Sequence, residues 1–242
     1  MDEKIIAVVL SGGKGKRMGT SVSKQYLLLN DKPILYYSLK AFDKSSVDEI
    51  VLVVGSEDKR YVSEEIVKKY NIRKVSHIVD GGKERYNSVY NALECIEKNC
   101  SKELKINKYV LIHDGARPFV TPEIINRTIE EVKRSNACIV GMKVKDTIKL
   151  SDEENCVSAT PDRNYVWQVQ TPQAFEFNLI KKCYDRVIKE NNTTITDDSM
   201  VVELSSDIKI KLIEGSYTNI KITTPEDINI GKSILNGELT EE

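Results

Sequence analysis

The sequence is poor in the residues that mark several function classes. Its 242 residues include two histidines, one tryptophan and five cysteines, and 36 Lys+Arg nearly cancel 37 Asp+Glu, for a formal net charge of -1. So balanced a charge excludes a dedicated duplex nucleic-acid binder and a polybasic membrane binder, so neither partner is expected. No apolar run approaches the ~20 residues that span a bilayer. Met1-Asp2-Glu3-Lys4 lacks the basic stretch that leads a secretory segment. A soluble, cytoplasmic protein is expected. The cysteines, at 95, 100, 138, 156 and 183, are odd in number and form no CxxC pair. That argues against a disulfide framework and a zinc ribbon. Neither His77 nor His113 has the neighbours of a catalytic triad or a metal site. The 40% hydrophobic content is enough for a packed core.

What is present alternates strand and helix. Lys4 to Leu10, Glu49 to Gly55 and Lys108 to Asp114 are continuous apolar runs, the mark of strands covered on both faces. Val75 to Val79, Ala137 to Val144, Ile208 to Ile213 and Asn219 to Thr223 are further strand candidates. Helical periodicity covers Ile34 to Phe42, Asp58 to Tyr70, Glu84 to Glu97 and Thr121 to Asn136. Thr121-Pro122 and Thr224-Pro225 are helix openings, with Thr as N-cap and Pro in the first turn. Thr196-Asp197-Asp198 begins a short helix. The pattern predicts one α/β domain, residues 1–242, with a mostly parallel twisted sheet. Residues 146–175 break the alternation and read as a projecting β-arm turning at Asp152-Glu153-Glu154-Asn155. An isolated hairpin could not bury Val157, Tyr165, Val166, Trp167 and Val169, so a homodimer packed through the arm is expected.

The loop after the first strand, Ser11-Gly12-Gly13-Lys14-Gly15-Lys16-Arg17-Met18-Gly19, fits neither the P-loop nor the GxGxxG spacing. Between Ser11 and Asn30 stand Lys14, Lys16, Arg17 and Lys24 and no acid. Glycines let backbone N–H groups approach an anion that the cations neutralise; the alternative is a solvated turn. Gly81-Gly82 and Ser88 follow another strand and suit either a nucleobase edge or a tight turn. Asp114 ends a third strand, where it suits Mg²⁺ bound chiefly by phosphates, and Arg117 suits a second phosphate. An Asp–Arg pair shaping the turn is the other reading.

Gly12-Gly13-x-Gly15-x-Arg17-Met18, Lys24-Gln25-Tyr26, Glu84-Arg85-x-x-Ser88-Val89, His113-Asp114-x-Ala116-Arg117-Pro118, Asp146-Thr147, Thr171-Pro172-Gln173, Thr196-Asp197-Asp198 and Asn219-Ile220-Lys221-x-Thr223 occur in this order. Over nearly the whole chain the set resembles the 2-C-methyl-D-erythritol 4-phosphate cytidylyltransferases of the non-mevalonate isoprenoid pathway. It departs from the common pattern at Ser11, Ser23, Lys83 and Gly115. The resemblance implies a Rossmann-like nucleotidyltransferase, Mg²⁺ or another divalent cation, CTP and methylerythritol phosphate as substrates, and a dimer with interlocked arms. It implies that Gly12, Gly13, Lys14, Gly15, Lys16, Arg17 and Lys24 hold the triphosphate, Gly81, Gly82 and Ser88 the cytidine, and Asp114 the metal and ribose region. Arg117, Thr147, Arg163, Thr196 and Lys221 would face the acceptor, with Arg17, Lys24, Arg163 and Lys221 catalytic and Arg163 acting in the partner's site. Ribitol 5-phosphate cytidylyltransferase and a non-catalytic nucleotide-binding module are the alternatives. A phosphate monoester has its second pKa near ~6, so the attacking oxygen needs no general base. Neutralising the meeting anions is the task.

Overall fold

The computed structural model describes residues 3–13, 23–100, 106–190 and 194–239. In chain order its elements are β1 (Glu3–Ser11), β2 (Leu28–Leu29), β3 (Lys32–Pro33), α1 (Ile34–Lys44), β4 (Glu49–Val54), α2 (Lys59–Tyr61) and β5 (Val75–Asp80). There follow α3 (Arg85–Cys100), β6 (Asn107–Asp114), α4 (Pro122–Ser135), β7 (Ala137–Lys143), β8 (Leu150–Ser151) and β9 (Val157–Ala159). The chain closes with β10 (Trp167–Glu176), α5 (Phe177–Glu190), α6 (Asp198–Ser205), β11 (Lys211–Glu214) and α7 (Pro225–Leu235). The main sheet has the order β11-β7-β10-β6-β1-β4-β5. All its pairings are parallel except those of β10, which is antiparallel to both β6 and β7.

Alternation along the strands explains the apolar runs. Ile6 and Val8 of β1 join a core with Val89 and Leu93 of α3, Tyr184 of α5 and Val201 of α6. Ala7 and Val9 point the other way, into a core with Leu35 and Leu39 of α1 and Ile125 and Ile129 of α4. Both faces of the strand are therefore buried from Ile5 to Val9. Thr121 caps α4 by accepting from the Ile124 N–H at 3.3 Å, a contact that typically contributes ~1 kcal/mol. The register sets Leu10 beside Asp114 and Val54 beside both Ser11 and Asp80, so four parallel strands end on one rim.

The structure corrects several expectations. Residues 167–176 are not the outer half of an arm but β10, a central strand of the main sheet. Gln170 and Gln173 are buried because they have partners: Gln170 Nε2 donates to the Ser216 carbonyl at 2.7 Å, and Gln173 Oε1 accepts from the N–H groups of Asp198 and Ser199, both at 3.0 Å. Pro172, after a cis peptide bond, falls where the register with β7 shifts, so its missing N–H breaks no ladder. The projecting part is shorter and carries the small β8–β9 pair. Asn219 to Thr223 forms no strand. It is held by single bonds, such as Ile222 N–H to the Ala116 carbonyl at 2.8 Å. The segment expected as one helix over Asp58 to Tyr70 is a 3₁₀ turn, α2 and a π-helical stretch, Val62–Lys68. β11 starts at Lys211 rather than Ile208. Helix α5 is an addition to the expected elements: Phe177, Ile180, Cys183, Tyr184 and Val187 recur at helical spacing and are buried. Among the described residues no helix is long and apolar enough to cross a membrane.

Candidate active site

A cleft of about 630 Å³ opens at the rim where β1, β4, β5 and β6 end. Ligand sites of open α/β sheets lie at this end. One wall is the glycine turn after β1. Gln25, in a 3₁₀ turn, bolts that turn down: its Nε2 donates to the carbonyls of Ser11 at 2.8 Å and Gly13 at 3.1 Å. The turn after β5 crosses it closely, for a Cβ on Gly12 would stand 3.5 Å from Gly81 Cα. Ser88 Oγ accepts from the Gly82 N–H at 2.9 Å and donates to the Glu84 carbonyl at 3.2 Å, which fixes the second turn on α3.

The floor is electrostatic. Asp114 ends β6 and is 9% exposed. Its Oδ1 accepts from Arg85 Nε at 3.2 Å and its Oδ2 from Lys221 Nζ at 2.6 Å. Burial works against its ionisation, but Arg85 and Lys221 outweigh burial and hold the carboxyl well below the usual carboxylate range. Arg85 continues inward to Asp198, which is fully buried. Removing one partner of a buried ion pair typically costs roughly 3–5 kcal/mol, so the arrangement is fixed. His113 lies behind, fully buried, and burial pushes its imidazole down to about 4. A neutral ring whose Nε2–H donates to the Arg117 carbonyl at 3.2 Å must accept at Nδ1 from the Thr171 hydroxyl, at 2.9 Å. Thr171 Oγ1 in turn accepts the Asp114 N–H at 3.2 Å. The histidine thus braces the strand end and faces no substrate space.

The lining carries Lys24, Lys83, Arg85 and Lys221 against Glu84 and Asp114, so it favours an anion. Gly115 stands where the backbone leaves no room for a side chain. A Cβ there would stand 2.9 Å from both the Leu10 carbonyl oxygen and Leu35 Cδ1.

Comparison with known proteins follows the same residues. The profile of the 2-C-methyl-D-erythritol 4-phosphate cytidylyltransferases matches residues 5–237. The chain belongs to this family. A cytidylyltransferase of that name from Lachnoclostridium phytofermentans is 51% identical over 233 residues, covering 96% of this chain and 97% of that protein. One from Clostridium botulinum is 49% identical over 229 residues, covering 94% and 96%. The solved 4-diphosphocytidyl-2C-methyl-D-erythritol synthase of Anaerococcus prevotii superposes with a TM-score of 0.83 at 31% identity, over 97% of this chain and 96% of that one.

Of the residues the sequence marked for this family's chemistry, Gly12, Gly13, Lys24, Gly82, Ser88, Asp114 and Lys221 line the cleft, and Gly81 lies against Gly12. Lys14, Gly15, Lys16 and Arg17 lie outside the described residues. Arg117, Thr147, Arg163 and Thr196 do not line it. Arg117 donates through Nη1 to the Asn219 carbonyl at 2.9 Å and through Nη2 to that of Val169 at 3.4 Å, so it ties the Lys221 segment to β10. Thr147, Arg163 and Thr196 are exposed. Gln25, Arg85 and Asp198 lie inside the family's motifs, but the sequence assigns them no role. Their partners lie up to 113 residues away, beyond any local pattern.

Proposed function

We propose that this chain transfers the cytidylyl group of CTP to 2-C-methyl-D-erythritol 4-phosphate, releasing pyrophosphate. The supporting observation is one cleft that gathers Gly12, Gly13, Lys24, Ser88, Asp114 and Lys221 from separate segments, in a chain of this family. The first glycine turn and Lys24, with Lys14, Lys16 and Arg17, hold the triphosphate; Gly81, Gly82 and Ser88 take the base. Lys221 holds the acceptor phosphate, whose dianionic oxygen attacks the α-phosphorus in line. Arg17, Lys24 and Lys221 offset the charge that gathers there and on the departing pyrophosphate. No side chain removes a proton, in keeping with the buried, neutral His113.

A divalent cation fits these residues. A carboxylate offers about four lone-pair sites, and Arg85 and Lys221 occupy two on Asp114, so Asp114 can serve as the one protein ligand of a Mg²⁺ held mainly by phosphates. Such an ion would add positive charge beside the triphosphate. Arg163, Thr147, Thr196 and Arg117 belong to the acceptor side. The arm covers its exposed Leu150, Val157 and Tyr165 against a second copy, so that Arg163 serves the partner's cleft. A cytoplasmic location completes the reading, consistent with an exposed free thiol at Cys156.

The test is pyrophosphate release from CTP and Mg²⁺ with a panel of acceptors. Methylerythritol phosphate should react on the order of tenfold or more faster than ribitol 5-phosphate, a discrimination within reach of a few polar contacts. Equal or faster turnover of ribitol 5-phosphate would reassign the acceptor. CTP binding without turnover of any acceptor would make the chain a binding module.

A further inference from the structure

Behind the cleft lies a line of charges whose inner members, Asp198 and Arg85, the reaction does not itself use. Tyr184 of α5 donates its hydroxyl to Asp198 Oδ1 at 2.6 Å, and both residues are fully buried. Arg85 Nη1 and Nη2 donate to Asp198 Oδ1 and Oδ2 at 2.9 and 2.6 Å, while its Nε donates to Asp114 Oδ1 at 3.2 Å. Asp114 Oδ2 then accepts from Lys221 at 2.6 Å. The charges alternate from the core outward: carboxylate, guanidinium, carboxylate, ammonium. Each member fixes the next. Asp198 is locked at the start of α6, where its N–H donates to Gln173 Oε1 at 3.0 Å. The backbone bearing Lys221 is held by single bonds rather than a strand ladder, and its ammonium is held by Asp114. The planar guanidinium faces Asp198 with both Nη atoms while its Nε reaches Asp114, a fixed division of donors between two carboxylates that a single ammonium nitrogen does not reproduce.

We propose that Arg85 is a positioning residue: anchored on Asp198 and Tyr184, it sets the Asp114 carboxylate and, through it, the Lys221 ammonium at the cleft. The effect on turnover rests on the reading of Lys221 given above, whereas the placement of Lys221 does not. A clamp that only joined α3 to α6 would leave Lys221 unaffected.

Arg85→Lys separates these roles, because it keeps a cation beside Asp198 but removes the Nε donor that reaches Asp114. The first readout needs no substrate: the acylation rate of each lysine by acetic anhydride, resolved by mass spectrometry. Lys221 should label on the order of threefold faster in Arg85→Lys than in the wild type, with the other lysines unchanged, as loss of one charged contact implies. The second readout is a double-mutant cycle. Arg85→Lys should lower kcat about tenfold in the wild-type background but less than twofold in Lys221→Ala, with KM for CTP little changed. Tyr184→Phe keeps the ring packing and removes one bond to Asp198; it should raise Lys221 labelling in the same direction even if Arg85→Lys does not fold. Unchanged Lys221 labelling in the folded variants, or an equal loss of kcat in both backgrounds, would overturn the proposal. A wild type that releases no pyrophosphate would overturn the reading of function alone, since the labelling still decides the placement of Lys221.

Discussion

The rim where β1, β4, β5 and β6 end and the arm between β7 and β10 would supply the two halves of one reaction site, and they are built by opposite means. On the rim, functional groups have buried partners from the same chain. Asp114 is 9% exposed and touches Arg85, Lys221 and Thr171, and the glycine turn is bolted by Gln25. On the arm, Tyr165 is 84% and Val157 63% exposed, and the only sheet is the short pairing of Leu150–Ser151 with Val157–Ala159. Among the described residues the Arg163 side chain makes one weak hydrogen bond, Nη1 to the Lys145 carbonyl at 3.4 Å. The rim is preorganised by folding; the arm is a half-made surface that association would finish. The rim should therefore fail by single substitution, and the arm should fail and recover by exchange of subunits.

The largest effect is expected on the rim. Lys24→Ala and Lys221→Ala should each lower kcat on the order of 10²-fold or more, the scale of losing one preorganised donor to developing charge. Circular dichroism should show both variants folded. A kcat near the wild type in either would assign that cation to the surface rather than the reaction. The arm calls for a different experiment. Arg163→Ala and Lys24→Ala proteins, each nearly inactive, should regain about a quarter of wild-type activity when mixed and allowed to exchange, since half the two-fold dimers are mixed and each holds one site without either defect. Mixed dimers that form and stay inactive would return Arg163 to its own cleft.

Why the rim was legible and the arm boundary was not is a matter of which residues carry local information. The runs ending at Leu10 and Asp114 announce strands because Ile5 to Val9 and Tyr109 to Ile112 are buried without a break, and Thr121-Pro122 announces α4 through its cap. β10 reads as a polar hairpin because Gln170, Thr171 and Gln173 look like surface residues. Their hydrogen bonds to Ser216, His113 and Asp198 are what make them interior. The family's motif positions placed most of the cleft, whereas the Arg85–Asp198 contact spans 113 residues and no motif displays it.

Two smaller effects sharpen the contrast. His113 takes up its proton near pH 4 when folded and near 6.5 when unfolded, so the unfolded chain binds more protons in between. Stability must fall as the pH drops through that window, by about 2 kcal/mol between pH 7 and pH 5 from this one group. Urea denaturation should show a smaller drop in His113→Gln over the same range. An identical drop in both proteins would show that the ring is not buried and neutral. On the arm, Val157→Ser should change the denaturation of the subunit itself by no more than about 0.5 kcal/mol, as for other exposed positions, while weakening the dimer in sedimentation. A large loss of subunit stability would mean that the arm packs against its own chain.

The account stands most directly on the product. With CTP, methylerythritol phosphate and Mg²⁺, ³¹P NMR should show the acceptor's phosphate and the CTP α-phosphate signals replaced together by a coupled pair from a diphosphate diester, with one pyrophosphate formed per coupled pair. Formation of CMP and pyrophosphate by hydrolysis, with the acceptor phosphate signal unchanged, would contradict it.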